Sequence, residues 1–181
     1  MADRFPGEIT IGGKIPAALL EEFLGEVASS GASVGDYGNA PFDGRTAEEL
    51  RGTLDENGQL RLADPEACYG QFEELEGFLQ EHGIPFDRHS DARYEFDAVN
   101  VMFRPGMERP VEVASNNAGD SLADAGELRQ VARELARLAT AGLTNDKLLA
   151  AVAKTSRDLE AVLPPDVEPL PPLEIIGEQG T

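Results

Sequence analysis

The order of apolar and polar residues divides this chain into stretches of period two and stretches of period near 3.6. Glu8-Ile9-Thr10-Ile11 alternates as a short strand and runs into a turn at Gly12-Gly13. Leu19, Leu20, Phe23, Leu24 and Val27 then follow helical spacing, with Glu21, Glu22 and Glu26 opposite. Pro16 suits the first position of that helix, and Gly31 suits a left-handed close. Residues 32–45, rich in Gly, Asn and Pro, predict a loop. Thr46-Ala47-Glu48-Glu49 has the form of a capping box, in which a hydroxyl and the Glu three residues on satisfy free amides at a helix start. A short helix is predicted to about Leu54, then a turn at Asn57-Gly58 and a strand carrying Leu60 and Leu62. Asp64-Pro65 reads as a second helix start. The helix it would open carries Cys68, Phe72, Leu75, Phe78 and Leu79 on one side and ends at Gly83.

From Ile84 to Ala114 the period returns to two. Ile84 and Phe86 alternate, then Tyr94 and Phe96, then Val99, Val101 and Phe103, then Val111 and Val113. The apolar parity changes between Phe96 and Val99, which calls for a bulge or turn near Asp97-Ala98. Turns at Ser90-Asp91 and Pro105-Gly106 make this region a meander of antiparallel strands. After a polar turn at Asn116–Asp120, a helix is predicted over Ser121–Ala141 and, past Gly142, another over Asn145–Leu163. Pro164, Pro165, Pro169, Pro171 and Pro172 make the rest extended. The expected fold class is therefore α+β: a mainly antiparallel sheet with helices on one face, plus a C-terminal helical hairpin. Residues 1–114 are expected to form the α+β domain, 115–163 a helical hairpin docked on it, and 164–181 a Pro-rich flexible tail.

A chain of 181 residues that is 41% hydrophobic can bury a core without disulfides or a structural metal. Its single cysteine, Cys68, is expected to pack as a small hydrophobe on the helix after Pro65, since its neighbours Glu66, Glu73 and Glu74 disfavour a thiolate. The start, MADRFPGEIT, has no apolar stretch after its Arg and does not read as a signal peptide; no run of 18 apolar residues occurs. A cytoplasmic location is the expectation.

The net charge of −19, from 34 acidic against 15 basic residues, changes the picture most. Positions 1–110 hold −13 and positions 111–181 hold −6, so the excess is not a tail. Phosphate backbones and anionic lipid surfaces need Lys and Arg, so direct nucleic-acid or membrane binding is not expected. Acidity also promotes solubility, and whole proteomes can be acidic. On the other reading, carboxylates occupy the basic groove of a partner protein. Glu66, Glu73, Glu74, Glu76 and Glu81, on and before the helix that ends at Gly83, are the expected partner-binding residues.

Asp87-Arg88-His89-Ser90-Asp91 is the one local cluster with metal-binding chemistry. Along a strand Asp87, His89 and Asp91 share a side, and His82 could add a ligand. The same residue types are ordinary in a hairpin turn. Asp55-Glu56-Asn57-Gly58 fails as a calcium loop, because Gly falls at the fourth position and Ala67 at the twelfth. Gly12-Gly13-Lys14 lacks the Lys-Ser/Thr ending of a phosphate loop. Arg129, Arg133 and Arg137 recur every four residues, a row suited to ion pairs or to self-association of the hairpin as a homodimer. No cofactor is expected.

In size, acidity and lack of a catalytic motif the chain resembles the small anti-defence proteins of phages and plasmids. These include anti-CRISPR and anti-restriction inhibitors, some of which imitate nucleic acid. The resemblance implies a non-catalytic inhibitor that binds a protein with a basic surface. The alternatives are a metal-dependent enzyme using Asp87, His89 and Asp91, or a structural assembly subunit.

Overall fold

A computed structural model describes residues 3–93 and 95–177, and the chain forms two compact units. The first comprises Met1–Asp120 together with Val167–Thr181, and the second is Ser121–Asp166. The first unit is built on strands β1 (Arg4–Ile11), β3 (Ser33–Val34), β4 (Leu60–Cys68), β5 (Phe86–Ser90), β6 (Ala98–Phe103) and β7 (Val111–Ser115). They form one antiparallel sheet in the order β3-β4-β1-β5-β6-β7. Helices α1 (Leu20–Ser29), α2 (Ala47–Gly52) and α3 (Glu73–Glu81) join it, so the fold class is α+β. Tyr94, expected in a strand, lies outside the described residues.

The registers place Ile9 beside Leu62 and Arg88, and Ile11 beside Leu60 and Phe86, while Phe86 faces Phe103 and Arg88 faces Val101. These side chains share one face of the sheet, because successive residues of a strand alternate sides. Phe23, Leu24 and Val27 of α1, Leu50 of α2, and Leu75, Phe78 and Leu79 of α3 close over it, and all are buried. Each such side chain contributes roughly 1.5–3 kcal/mol.

Local chemistry sets most boundaries. Thr46 Oγ1 accepts the Glu49 amide and Glu49 Oε2 accepts the Thr46 amide, the expected capping box. Gly58 and Gly106 take positive φ at the expected turns. Pro16 ends strand β2 (Gly13–Pro16) and precedes a 3-10 turn at Ala17–Leu19, and does not sit inside the helix. Residues 32–45 contain β3 in addition to loop.

The Asp64-Pro65 start is a correction. β4 continues through it to Cys68, and the register with β1 slips between Phe5–Ala67 and Gly7–Asp64. Pro6 and Pro65 both fall in this bulge, where the ladder is interrupted and a missing amide costs nothing. β3 ends its pairing at Ala63, so Pro65 has a neighbouring strand on one side only. Cys68 is consequently exposed on a strand and does not pack on a helix.

Residues 164–181, expected to be flexible, are held along the first unit from Glu168 to Ile176. Strand β8 (Leu173–Ile176) pairs in parallel with β2, from Gly13–Leu173 to Pro16–Ile176. Gln59 Nε2 donates to Leu170 O (2.6 Å), Leu173 N to Gly58 O (2.8 Å) and Arg104 Nε to Glu168 O (2.8 Å). Prolines cannot donate to a ladder, so the anchoring donors come from the body and from Leu173. A Cβ on Gly12 would lie 2.0 Å from Pro171 O, which explains the glycine pair better than a phosphate loop does.

The second unit consists of α4 (Ala125–Thr140) and α5 (Asn145–Val162), packed as the expected helical hairpin. Asp124 caps α4 through the Glu127 amide (2.7 Å).

Gly12→Ala should lower stability by about 1–3 kcal/mol through the clash with Pro171. Gly25→Ala, in open space on α1, should raise it by roughly 0.5–1 kcal/mol. Urea unfolding of both variants checks the contrast.

Candidate functional site

α1 and α3 are neighbours in the helical layer, with the Phe23 and Phe78 rings 6.4 Å apart. Their inner faces are apolar, so their charged residues are driven to the solvent side. Glu21 and Glu22 on α1, and Glu73, Glu74 and Glu81 on α3, are exposed. Neither helix contains a single Lys or Arg. Glu21-Glu22 precede Gly25 at four and three residues, and Glu73-Glu74 precede Gly77 at the same spacing. Nothing lies within 4 Å of where a Cβ would stand on either glycine, so packing does not require them. The site is therefore a bare-backbone, anionic helical face.

Of the five carboxylates expected at this surface, Glu73, Glu74 and Glu81 are on it. Glu66 is exposed but stands on β4, in the bulge beside Pro65. Glu76 is corrected outright, because it is buried. Its Oε1 accepts the Phe72 amide (2.9 Å) and lies 2.8 Å from Arg88 Nε, an ion pair by distance without hydrogen-bond alignment. The Arg88 Nη1 group donates to Gly70 O (3.2 Å) and to Ser90 Oγ, and Ser90 Oγ donates to Gly70 O (2.7 Å). Glu21 and Glu22 are the residues that sequence reasoning missed. The repeated Glu-Glu-x-x-Gly spacing was the available signal.

The opposite face of the sheet is polar but mixed in charge. Asp87 and His89 do share a side of β5, and Asp91 stays with them, its Oδ1 3.2 Å from His89 Nε2. Asp87, however, is held by Arg104 through two bonds of 2.7 and 3.0 Å. Asn100 Nδ2 donates to Gly119 O (2.8 Å), which turns its Oδ1 toward His89 Nδ1 (2.8 Å). His82 instead caps α3, its ring 4.6 Å from that of Phe78. Among the described residues no three His, Cys, Asp or Glu side chains are placed to hold a metal ion. The strand pairing explains this: the meander puts Arg104 and Asn100 beside the carboxylate and imidazole that would have been ligands.

Beside this row the Tyr37 hydroxyl hydrogen-bonds Glu8, whose carboxylate also pairs with Arg61 (2.7 Å). Partial burial pushes the Tyr37 phenol well above its ordinary value. The charges of Glu8 and Asp91 add to this, as does the bond to Glu8, and Arg61 opposes it. The phenol thus stays protonated near neutral pH. At the α2 cap, the Arg45 and Thr46 contacts hold the Glu49 carboxyl below the usual carboxylate range.

The magnitude of the charge also differs between the units. Ser121–Asp166 has seven carboxylates and six cations, a net −1, while the first unit has 27 and nine, a net −18. Among the described residues no helix is long and apolar enough to cross a membrane. No protein-family model, no curated protein and no solved structure matches this chain.

Glu76→Ala should cost about 3–5 kcal/mol, since it strands a buried guanidinium. Joint replacement, Glu76→Leu with Arg88→Met, should recover most of that loss, and urea midpoints of the three proteins measure it. For Tyr37, a folded-state value above the unfolded one means that the stability it contributes is intact below pH about 10 and lost as pH rises. Stability should therefore fall more steeply between pH about 9 and about 11 in the wild type than in Tyr37→Phe. Parallel slopes in the two proteins would contradict this.

Proposed function

We propose that the first unit is a non-catalytic protein-binding module that lays its anionic helical face in the basic, nucleic-acid-binding groove of a partner and so inhibits it. The observation that carries this reading is the pair of neighbouring helices, α1 and α3, whose solvent sides bear five exposed carboxylates and no cation. Like charges repel across such a face, and an isolated fold gains nothing from placing them together. A partner whose Lys and Arg ordinarily meet phosphates recovers that repulsion as attraction. Complementary fields mainly raise the association rate and select partners, and buried contacts then hold the complex.

Two further features support the reading. The charge is lopsided, −18 in one unit and −1 in the other, whereas acidification for solubility alone would act on both. Gly25 and Gly77 leave bare backbone at the centre of the acidic face, where a partner side chain could approach closely. Each costs its helix roughly 0.5–1 kcal/mol relative to Ala. This fits the anti-defence, nucleic-acid-imitating class of inhibitor that the composition resembles. On this reading the protein would meet its partner in the cytoplasm.

The test replaces Glu21, Glu22, Glu73 and Glu74 together by Gln. Stability should change by less than about 0.5 kcal/mol per site, because all four are exposed. Immobilised wild-type chain should capture nucleic-acid-binding proteins at low ionic strength and release them as salt rises. Added in solution, it should displace nucleic acid from the captured proteins. The quadruple variant should do so at least about tenfold more weakly. Capture that ignores both salt and the four substitutions would end the proposal.

A further inference from the structure

The Ser121–Asp166 unit has a face that its own two helices leave uncovered. Its buried residues are Val131 and Leu138 on α4 and Thr155 on α5, at the helical spacing of an α4–α5 seam. Leu128, Val131, Leu135 and Leu138 recur at spacings of three and four on α4, and Leu148, Val152, Thr155, Leu159 and Val162 do so on α5. Such a repeat winds one stripe along each helix, wider than the single seam that two helices share. On one side of the seam lies a polar groove edged by the ion pairs Arg137–Glu134 (2.7 Å) and Lys154–Asp158 (2.6 Å). At 100° per residue, Leu128, Leu135, Leu148, Leu149, Val152 and Leu159 fall on the other side. Leu149 is 68% exposed, Leu135 43% and Val152 42%.

We infer that this face pairs with the same face of a second copy of the chain, forming a four-helix bundle. Charge favours that occupant. The hairpin, at −1, brings almost no net charge of its own into such a contact, unlike the first unit at −18. Arg129 near the start of α4 and Glu160 near the end of α5 stand at the same end of the antiparallel pair, on its outer edges. A two-fold that sets α4 of one copy on α5 of the other brings these opposite charges together twice. Area agrees as well. Helices of 16 and 18 residues are about 24–27 Å long and a pair is about 20 Å wide, so each copy contributes about 500 Å². The sum, about 1,000 Å², meets the minimum for a specific interface. A unit of this size with three buried side chains also needs such cover to be stable. The consequence is a bivalent particle carrying two acidic units.

Sedimentation equilibrium of the full chain from about 1 to about 100 µM tests this without any partner, in the range where an interface of this size registers. A mass twice 19.4 kDa is expected. Leu149→Glu with Val152→Glu should weaken the dimer at least about tenfold while helical circular dichroism is retained. Arg129→Glu should weaken it too, and adding Glu160→Arg should restore it. That charge pair is on exposed edges, so it reads the interface even where the apolar variant misfolds. A monomer at every concentration overturns the inference, as does a dimer indifferent to these hairpin substitutions. Either failure leaves the reading of the acidic face untouched.

Discussion

A guanidinium buried between the sheet and α3 is the constraint around which the first unit is arranged. Arg88 stands on β5, beside Ile9 of the central β1, on the face that is otherwise apolar. A charge there must be paired and hydrogen-bonded, or the site costs several kcal/mol. Glu76 supplies the counter-charge, and the Gly70 carbonyl and Ser90 hydroxyl supply acceptors. These partners explain local geometry that is otherwise odd. Tyr69 takes φ of +54° and Gly70 +65°, bringing the Gly70 carbonyl down onto β5. A Cβ on Gly70 would stand 2.7 Å from both Phe5 and Ser90. α3 can start only after that turn, and its first turn is tied by the bond from the Phe72 amide to Glu76.

The same requirement separates the charges of the molecule. The inward face of the sheet accepts one cation, Arg88, because Glu76, Gly70 and Ser90 meet it there, while most other charged groups lie outward. On the helical side the outward positions of α1 and α3 are acidic without exception among the charged residues. On the far side of the sheet, carboxylates are matched by cations: Glu8 by Arg61, and Asp87 by Arg104. A field partly offset by ion pairs on one face and without any on the other is directional.

The second unit obeys a different economy. Its ion pairs lie within each helix at spacings of three and four, and its net charge is near zero. Its unsatisfied feature is apolar surface. On the two proposals made above, the units would associate by complementary means, one long-ranged and weakened by salt, the other short-ranged and insensitive to it.

Much of this was legible in the residue order. The capping box at Thr46, the turns at Gly58 and Gly106, the antiparallel meander and the paired C-terminal helices all rest on neighbours within a few residues, where pattern and conformation are directly linked. Asp64-Pro65 misled because an N-cap followed by proline and a bulge that tolerates proline look alike, and only pairing with β1 distinguishes them. Glu76 misled because one turn of helix separates an exposed carboxylate from a buried one, and its partner Arg88 is 12 residues away on a strand. The proline-rich end reads as extended from its composition. That it is anchored depends on donors at Gly13, Gln59 and Arg104 and an acceptor at Gly58, far along the chain. By itself, then, the sequence determined the acidity, the capping box, the turns and most of the helices and strands, because these are properties of short windows. Tertiary structure alone decided which carboxylates face solvent together and which ligand candidates are already engaged, because pairing across the sheet joins residues that no window contains.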